Sequence, residues 1–126
     1  MEKKIVLCDT NILVEFFKND KKIRSKLKSI GREFIFISTI TAAELYYGAF
    51  DRKELITIKN KLKSITQIPI NEDINDIFEA LMLKYVLSHK LSIPDAIIAA
   101  TALYYDLPLY TLNKKDFKYI SGLNLY

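Results

Sequence analysis

At 126 residues the chain is long enough to bury a real core and too short for two, so residues 1–126 read as one domain. Half of the residues are hydrophobic and 27% are charged, with no low-complexity tract and no internal repeat, which excludes a disordered chain and a solenoid. Nineteen basic against fifteen acidic residues leave a formal charge of +4, which suits a polyanionic partner but falls well short of a dedicated basic arm.

No apolar run reaches the roughly 18 residues that cross a bilayer, and Met1 to Cys8 lacks the form of a signal peptide. The expected location is the cytoplasm, with no membrane contact. The single cysteine, Cys8, cannot form an internal disulfide; within an apolar run it reads as a small buried hydrophobe.

In chain order, Ile5 to Cys8 is continuously apolar, the pattern of a strand covered on both faces in a parallel sheet. It stops at Asp9. Asn11 to Lys18 carries Ile12, Leu13, Phe16 and Phe17 at helical spacing, with Thr10 or Asp9 as N-cap and Asn19-Asp20 as the stop. Ile23 to Ile30 predicts a short basic helix ending at Gly31, and Glu33 to Ile37 a second strand. A helix is expected from Thr41, with Gly48 near its middle or end, followed by an amphipathic one over Asp51 to Ile65 bearing Leu55, Ile58, Leu62 and Ile65 on one stripe. Gln67 to Ile70 contains Pro69, so a strand there belongs at a sheet edge. Glu72 to His89 and Pro94 to Tyr105 read as a long helix and a buried one; Leu109 to Thr111 and Leu123 to Leu125 close the chain as strands. Strands alternating with helices give an α/β domain with a central parallel sheet of four to five strands flanked by helices.

Each acid in this pattern has a local explanation. Asp9 can cap a helix; Glu44, three residues after Thr41, has capping-box spacing; Asp95 follows Ser92 and Pro94 in a first helical turn, where an acid complements the dipole. What these explanations leave out is that all three fall at strand tips or first helical turns, ends that a parallel sheet gathers on one side. Carboxylates gathered there repel unless cations neutralise them, and a hard cation such as Mg²⁺ or Mn²⁺ takes oxygen ligands of this kind. The three are therefore expected in one pocket, near enough to share a cation. Asn113 and Asp116, just after the Leu109 to Thr111 strand, can reach the same rim or form an Asx-turn. Lys114, Lys115 and Lys118 either steer a phosphate backbone or simply form a charged loop, and His89, at a helix end, reads as a solvated ring without a role.

Asp9-Thr10-Asn11, Thr41-Ala42-Ala43-Glu44-Leu45 with Gly48, Pro94-Asp95-Ala96-Ile97-Ile98-Ala99-Ala100-Thr101-Ala102 and Thr111-Leu112-Asn113-Lys114-Lys115-Asp116-Phe117 together resemble a PIN domain, specifically the VapC-type toxin ribonucleases. The resemblance runs from Ile5 to the last strand. It implies a metal-dependent endoribonuclease with Asp9, Glu44 and Asp95 as core acids, a homodimer, and a small VapB-type antitoxin whose tail occupies the active-site groove. Related sequences carry Asp where this one has Asn113, which leaves Asp116 as the nearest fourth carboxylate. Thr10 and Asn11 would orient the ligands from behind. Three other readings compete: a haloacid-dehalogenase-like phosphatase, which needs a second Asp where Asn11 stands; a receiver-type switch, which needs an acidic pair after the first strand; and a PIN-like protein that binds RNA or a partner without cutting, or processes RNA without an antitoxin.

Overall fold

In the computed structural model, which describes residues 4–126, four parallel strands form one sheet in the order β3-β2-β1-β4. The strands are β1 (Val6–Cys8), β2 (Ile35–Ser38), β3 (Thr66–Ile68) and β4 (Leu109–Tyr110), and the helices α1 (Thr10–Phe17), α2 (Lys21–Ile30), α3 (Thr39–Tyr47), α4 (Arg52–Leu62), α5 (Glu72–His89) and α6 (Ile93–Tyr105). β1 lies at the centre, pairing Leu7 with Phe36 of β2 on one side and with Leu109 of β4 on the other. Its side chains alternate between two apolar layers, as a strand's period of two requires. Val6 and Cys8 pack with Ile12, Leu27, Ile37 and Leu62 beneath α1 to α4. Leu7 packs with Leu81, Ile98 and Leu109 beneath α5 and α6. Burial of all three β1 residues explains why that run is apolar without alternation.

β3 is an edge strand as expected, but it spans Thr66–Ile68 rather than Gln67 to Ile70, so Pro69 falls just beyond it and its missing amide does not set the strand's place. Three other expectations need correction. The second strand begins at Ile35, because Gly31 at φ 97° turns the chain and Phe34 N donates to Gly31 O at 2.9 Å, winding Arg32–Phe34 into a 3₁₀ turn. α3 starts at Thr39, not Thr41: β2 runs straight into it and Ser38 is the N-cap, accepting from Ile40 N at 3.3 Å. The capping box proposed for Thr41 and Glu44 is thereby ruled out, since Thr41 lies inside the helix, and Glu44 falls in the second turn of α3 rather than in a first turn as expected. Leu123 to Leu125 does not form a fifth strand; Leu125 makes only an isolated parallel bridge to Leu109. Among the described residues, no helix is long and apolar enough to cross a membrane.

Candidate active site

Strand order reverses around β1, since β2 and β3 follow on one side and β4 lies on the other. In an open parallel sheet that reversal opens a crevice beyond the carboxyl ends of the strands. Asp9 stands at this point, one residue past β1 and at the N-cap of α1. Its neighbour across the crevice is Thr111, one residue past β4, and Asp9 N donates to Tyr110 O at 2.9 Å.

Asp9 is 5% exposed, and each carboxylate oxygen has its own donor. Oδ1 accepts from Thr10 N and Oδ2 from the Thr111 hydroxyl, both at 2.7 Å. Burial pushes the Asp9 carboxyl above the usual range; the bonds from Thr111 and Thr10 hold it back, and the charges of Glu44 and Asp116 raise it further. Capping and site roles thus coexist in one side chain. The Thr10 hydroxyl donates to Glu44 Oε1 at 2.6 Å and lies 3.1 Å from the Thr41 hydroxyl, which ties α1 to α3. Asn11 fastens the other side: its Oδ1 accepts from Leu112 N at 3.2 Å and its Nδ2 lies 3.5 Å from Thr111 Oγ1. Thr111 Oγ1 also accepts from Asn113 N at 3.0 Å.

Asp95 sits in the first turn of α6, where Ser92 is the cap and accepts from Asp95 N at 3.2 Å. Asp95 therefore does not cap the helix; its side chain is left to the cleft. Its carboxyl is pushed up to about 6, first by desolvation, then by the charge of Asp9, with Asp116 and Glu44 adding and Ser92 opposing. Asp116 closes the 3₁₀ turn Lys114–Asp116.

One cleft of about 340 Å³ is lined by Asp9, Thr10, Asn11, Glu44, Asp95, Asn113 and Asp116 together with Val14, Glu15 and Leu112. Lys114, Lys115 and Lys118 are exposed, and Lys115 lines a second cleft that adjoins the first. Larger cavities lie elsewhere, one of about 430 Å³ among Phe16, Arg24, Leu27 and Arg32, but they lack a comparable group of mutually repelling carboxylates. Among the described residues, no three His, Cys, Asp or Glu side chains stand close enough together to hold a metal ion, so Asp9, Glu44 and Asp95 share the cleft without standing as near to one another as a shared cation was expected to require. The donor set nonetheless fits a hard cation. Mg²⁺ keeps much of its water and is held by one or two carboxylates plus phosphate, and the charges of Glu44 and Asp116 raise the proton affinity of both Asp9 and Asp95, a repulsion that a cation relieves. The sequence reading missed Thr111 as a site residue. Its only signal is a hydroxyl at the end of an apolar strand, yet it is 2% exposed and joins Asp9, Asn11 and Asn113 through one oxygen.

The family model of the PIN domain matches residues 6–123. The chain belongs to the PIN domain family. Among PIN relatives, Ribonuclease VapC1 of Methanocaldococcus jannaschii is 32% identical over 132 residues, covering 99% of this chain and 89% of the relative. A toxin-antitoxin complex from Klebsiella pneumoniae contains a chain 35% identical, with a TM-score of 0.78 and 94% of each chain covered. VapBC2 from Rickettsia felis, bound to a DNA fragment from its promoter, superposes with a TM-score of 0.82 at 26% identity and 97% coverage of each chain. PIN membership discounts the phosphatase and receiver readings.

Proposed function

We propose that this PIN domain is a metal-dependent endoribonuclease of the VapC toxin type, hydrolysing RNA phosphodiester bonds. The observation that carries the reading is the gathering of Asp9, Glu44, Asp95 and Asp116 around one cleft at the sheet's switch point; the relatives named ribonuclease and toxin-antitoxin complex support it. These four carboxylates are assigned to Mg²⁺ or Mn²⁺, which when bound lowers the pKa of water and offsets charge on the reacting phosphate. The protein's own work is positional. Thr111 and the Thr10 amide fix both oxygens of Asp9, the Thr10 hydroxyl fixes Glu44, and Asn11 pins Leu112 so that the loop bearing Asn113 and Asp116 stays over the crevice. Such supporting bonds set how well a ligand set performs. With its carboxyl near 6, Asp95 is largely ionised at neutral pH and takes up a proton in mild acid. Lys114, Lys115 and Lys118 attract the RNA backbone from the exposed rim.

A VapB-type antitoxin is the proposed protein partner. A groove of about 480 Å³ shares Val14 and Glu44 with the acid cleft and has apolar walls at Phe17, Leu45 and Ile58, a surface suited to an apolar segment reaching toward the acids. The proposed assembly of the toxin itself is a homodimer. The test of the reading is cleavage of single-stranded RNA by purified protein with Mg²⁺ or Mn²⁺: products are expected with either ion and none in excess EDTA, and cleavage in EDTA would overturn it.

A further inference from the structure

His89 and Tyr119 form a stack beside the acid cleft that the reaction as described does not use. The rings lie 3.9 Å apart at 9°. Three contacts hold the imidazole: Tyr119 covers one face, Tyr85 meets it edge-on at 5.8 Å and 76°, and Ser88 Oγ lies 2.7 Å from Nδ1. Tyr85 in turn is buried and its hydroxyl accepts from Ser121 N at 3.1 Å. A solvated histidine at a helix end would have no such clamp. Yet His89 is exposed, so the ring face turned away from Tyr119 is open.

This stack lines a cleft of about 310 Å³ together with Lys90, Lys115, Asp95 and Asp116. Asp95 and Asp116 line the acid cleft as well, so the two clefts share a wall of carboxylates. The chain makes the junction by leaving α5 through Lys90 in the left-handed region, φ 55° and ψ 38°, which turns it directly into Ser92 and α6. A clamped aromatic face, two exposed lysines and two acids assigned to phosphate chemistry thus meet in one polar depression. A nucleobase needs a flat face, and its phosphate needs cations.

Resting on the ribonuclease reading, we infer that the His89–Tyr119 stack is a nucleobase subsite, holding the base of a nucleotide adjoining the scissile phosphate while Lys90 and Lys115 take its backbone. Because the imidazole is already fixed, stacking a base on it orders little of the protein, the condition under which such a contact contributes most. The subsite positions substrate; it takes no part in the chemistry.

The test pairs protein variants with a substrate series. A fluorescent single-stranded oligoribonucleotide, intact or with one abasic ribose at successive positions, is titrated into wild type, His89→Ala and His89→Phe in EDTA, and cleavage of the same oligonucleotides is read in Mg²⁺. In wild type, one abasic position is expected to weaken binding about 5- to 150-fold. His89→Ala should bind the intact strand at that weakened level and show no further abasic loss, with an unchanged melting temperature; His89→Phe, which keeps a stacking face, should restore the difference. Equal binding by wild type and His89→Ala, or the same abasic loss in both, would overturn the subsite. Cleavage without any abasic effect removes the subsite alone. An abasic effect that depends on His89 without cleavage removes the nuclease reading and leaves a base-binding site.

Discussion

Two residues carry the sharpest consequences. For Asp95, the carboxyl is raised from 3.8 to about 6, so the folded state holds its proton more tightly than the unfolded one. Stability from that proton is complete below about pH 4 and is lost as pH rises through about 6. Above that, an ionised Asp95 faces Asp9, Asp116 and Glu44. Asp95→Asn is therefore expected to raise the melting temperature of the metal-free protein at pH 8 and to leave it nearly unchanged at pH 4; equal effects at both would contradict the repulsion. Thr111 is the opposite case, a neutral group whose loss strands a charge. Thr111→Val removes the donor to Asp9 Oδ2 and the acceptor for Asn113 N, at an expected cost of about 1–3 kcal/mol in denaturant unfolding. It should also lower cleavage about 10- to 100-fold, whereas Thr111→Ser should retain both.

Among the elements, what was legible in the sequence was what periodicity and punctuation encode. The apolar run into β1, the Gly31 stop after α2 and the lengths of α5 and α6 all follow from rules local to a few residues. The start of α3 was not legible, because Ser38, Thr39 and Thr41 are all competent caps and only the end of β2 chooses between them. Long-range bonds were equally hidden: nothing near Thr111 in sequence announces Asp9, 102 positions away. The homodimer implied by the resemblance needs exposed apolar surface, and the fold decides which aromatic residues supply it. Tyr46 packs against the core, and the Tyr104 hydroxyl donates to Asp73 at 3.1 Å. Tyr47 and Phe50, at the end of α3 and just beyond it, are 93% and 83% exposed, large rings left in water that an interface would cover. Sedimentation at micromolar concentration is expected to give a dimer, and Tyr47→Ser with Phe50→Ser a monomer; a wild-type monomer under those conditions would contradict the assignment.

For the whole molecule, the parallel sheet makes the site possible. Residues 9, 44, 95 and 116 come from separate elements, just past β1, the second turn of α3, the first turn of α6 and the 3₁₀ turn after β4, and the fold brings them to one cleft beyond the carboxyl ends of the strands. The order of acids along the sequence exposed that convergence; the satisfaction of each oxygen did not, since it depends on hydroxyls contributed by distant elements. The central claim is that the gathered charge exists to hold a cation for phosphodiester hydrolysis. Its most direct measurement is cleavage of single-stranded RNA in Mg²⁺ by wild type and by Asp95→Asn, which keeps side-chain size while Ser92 still caps the helix. The expected result is a loss of at least about 100-fold, or about 2.7 kcal/mol, with melting that shows the variant folded. Cleavage that survives Asp95→Asn, and survives EDTA as well, would contradict it.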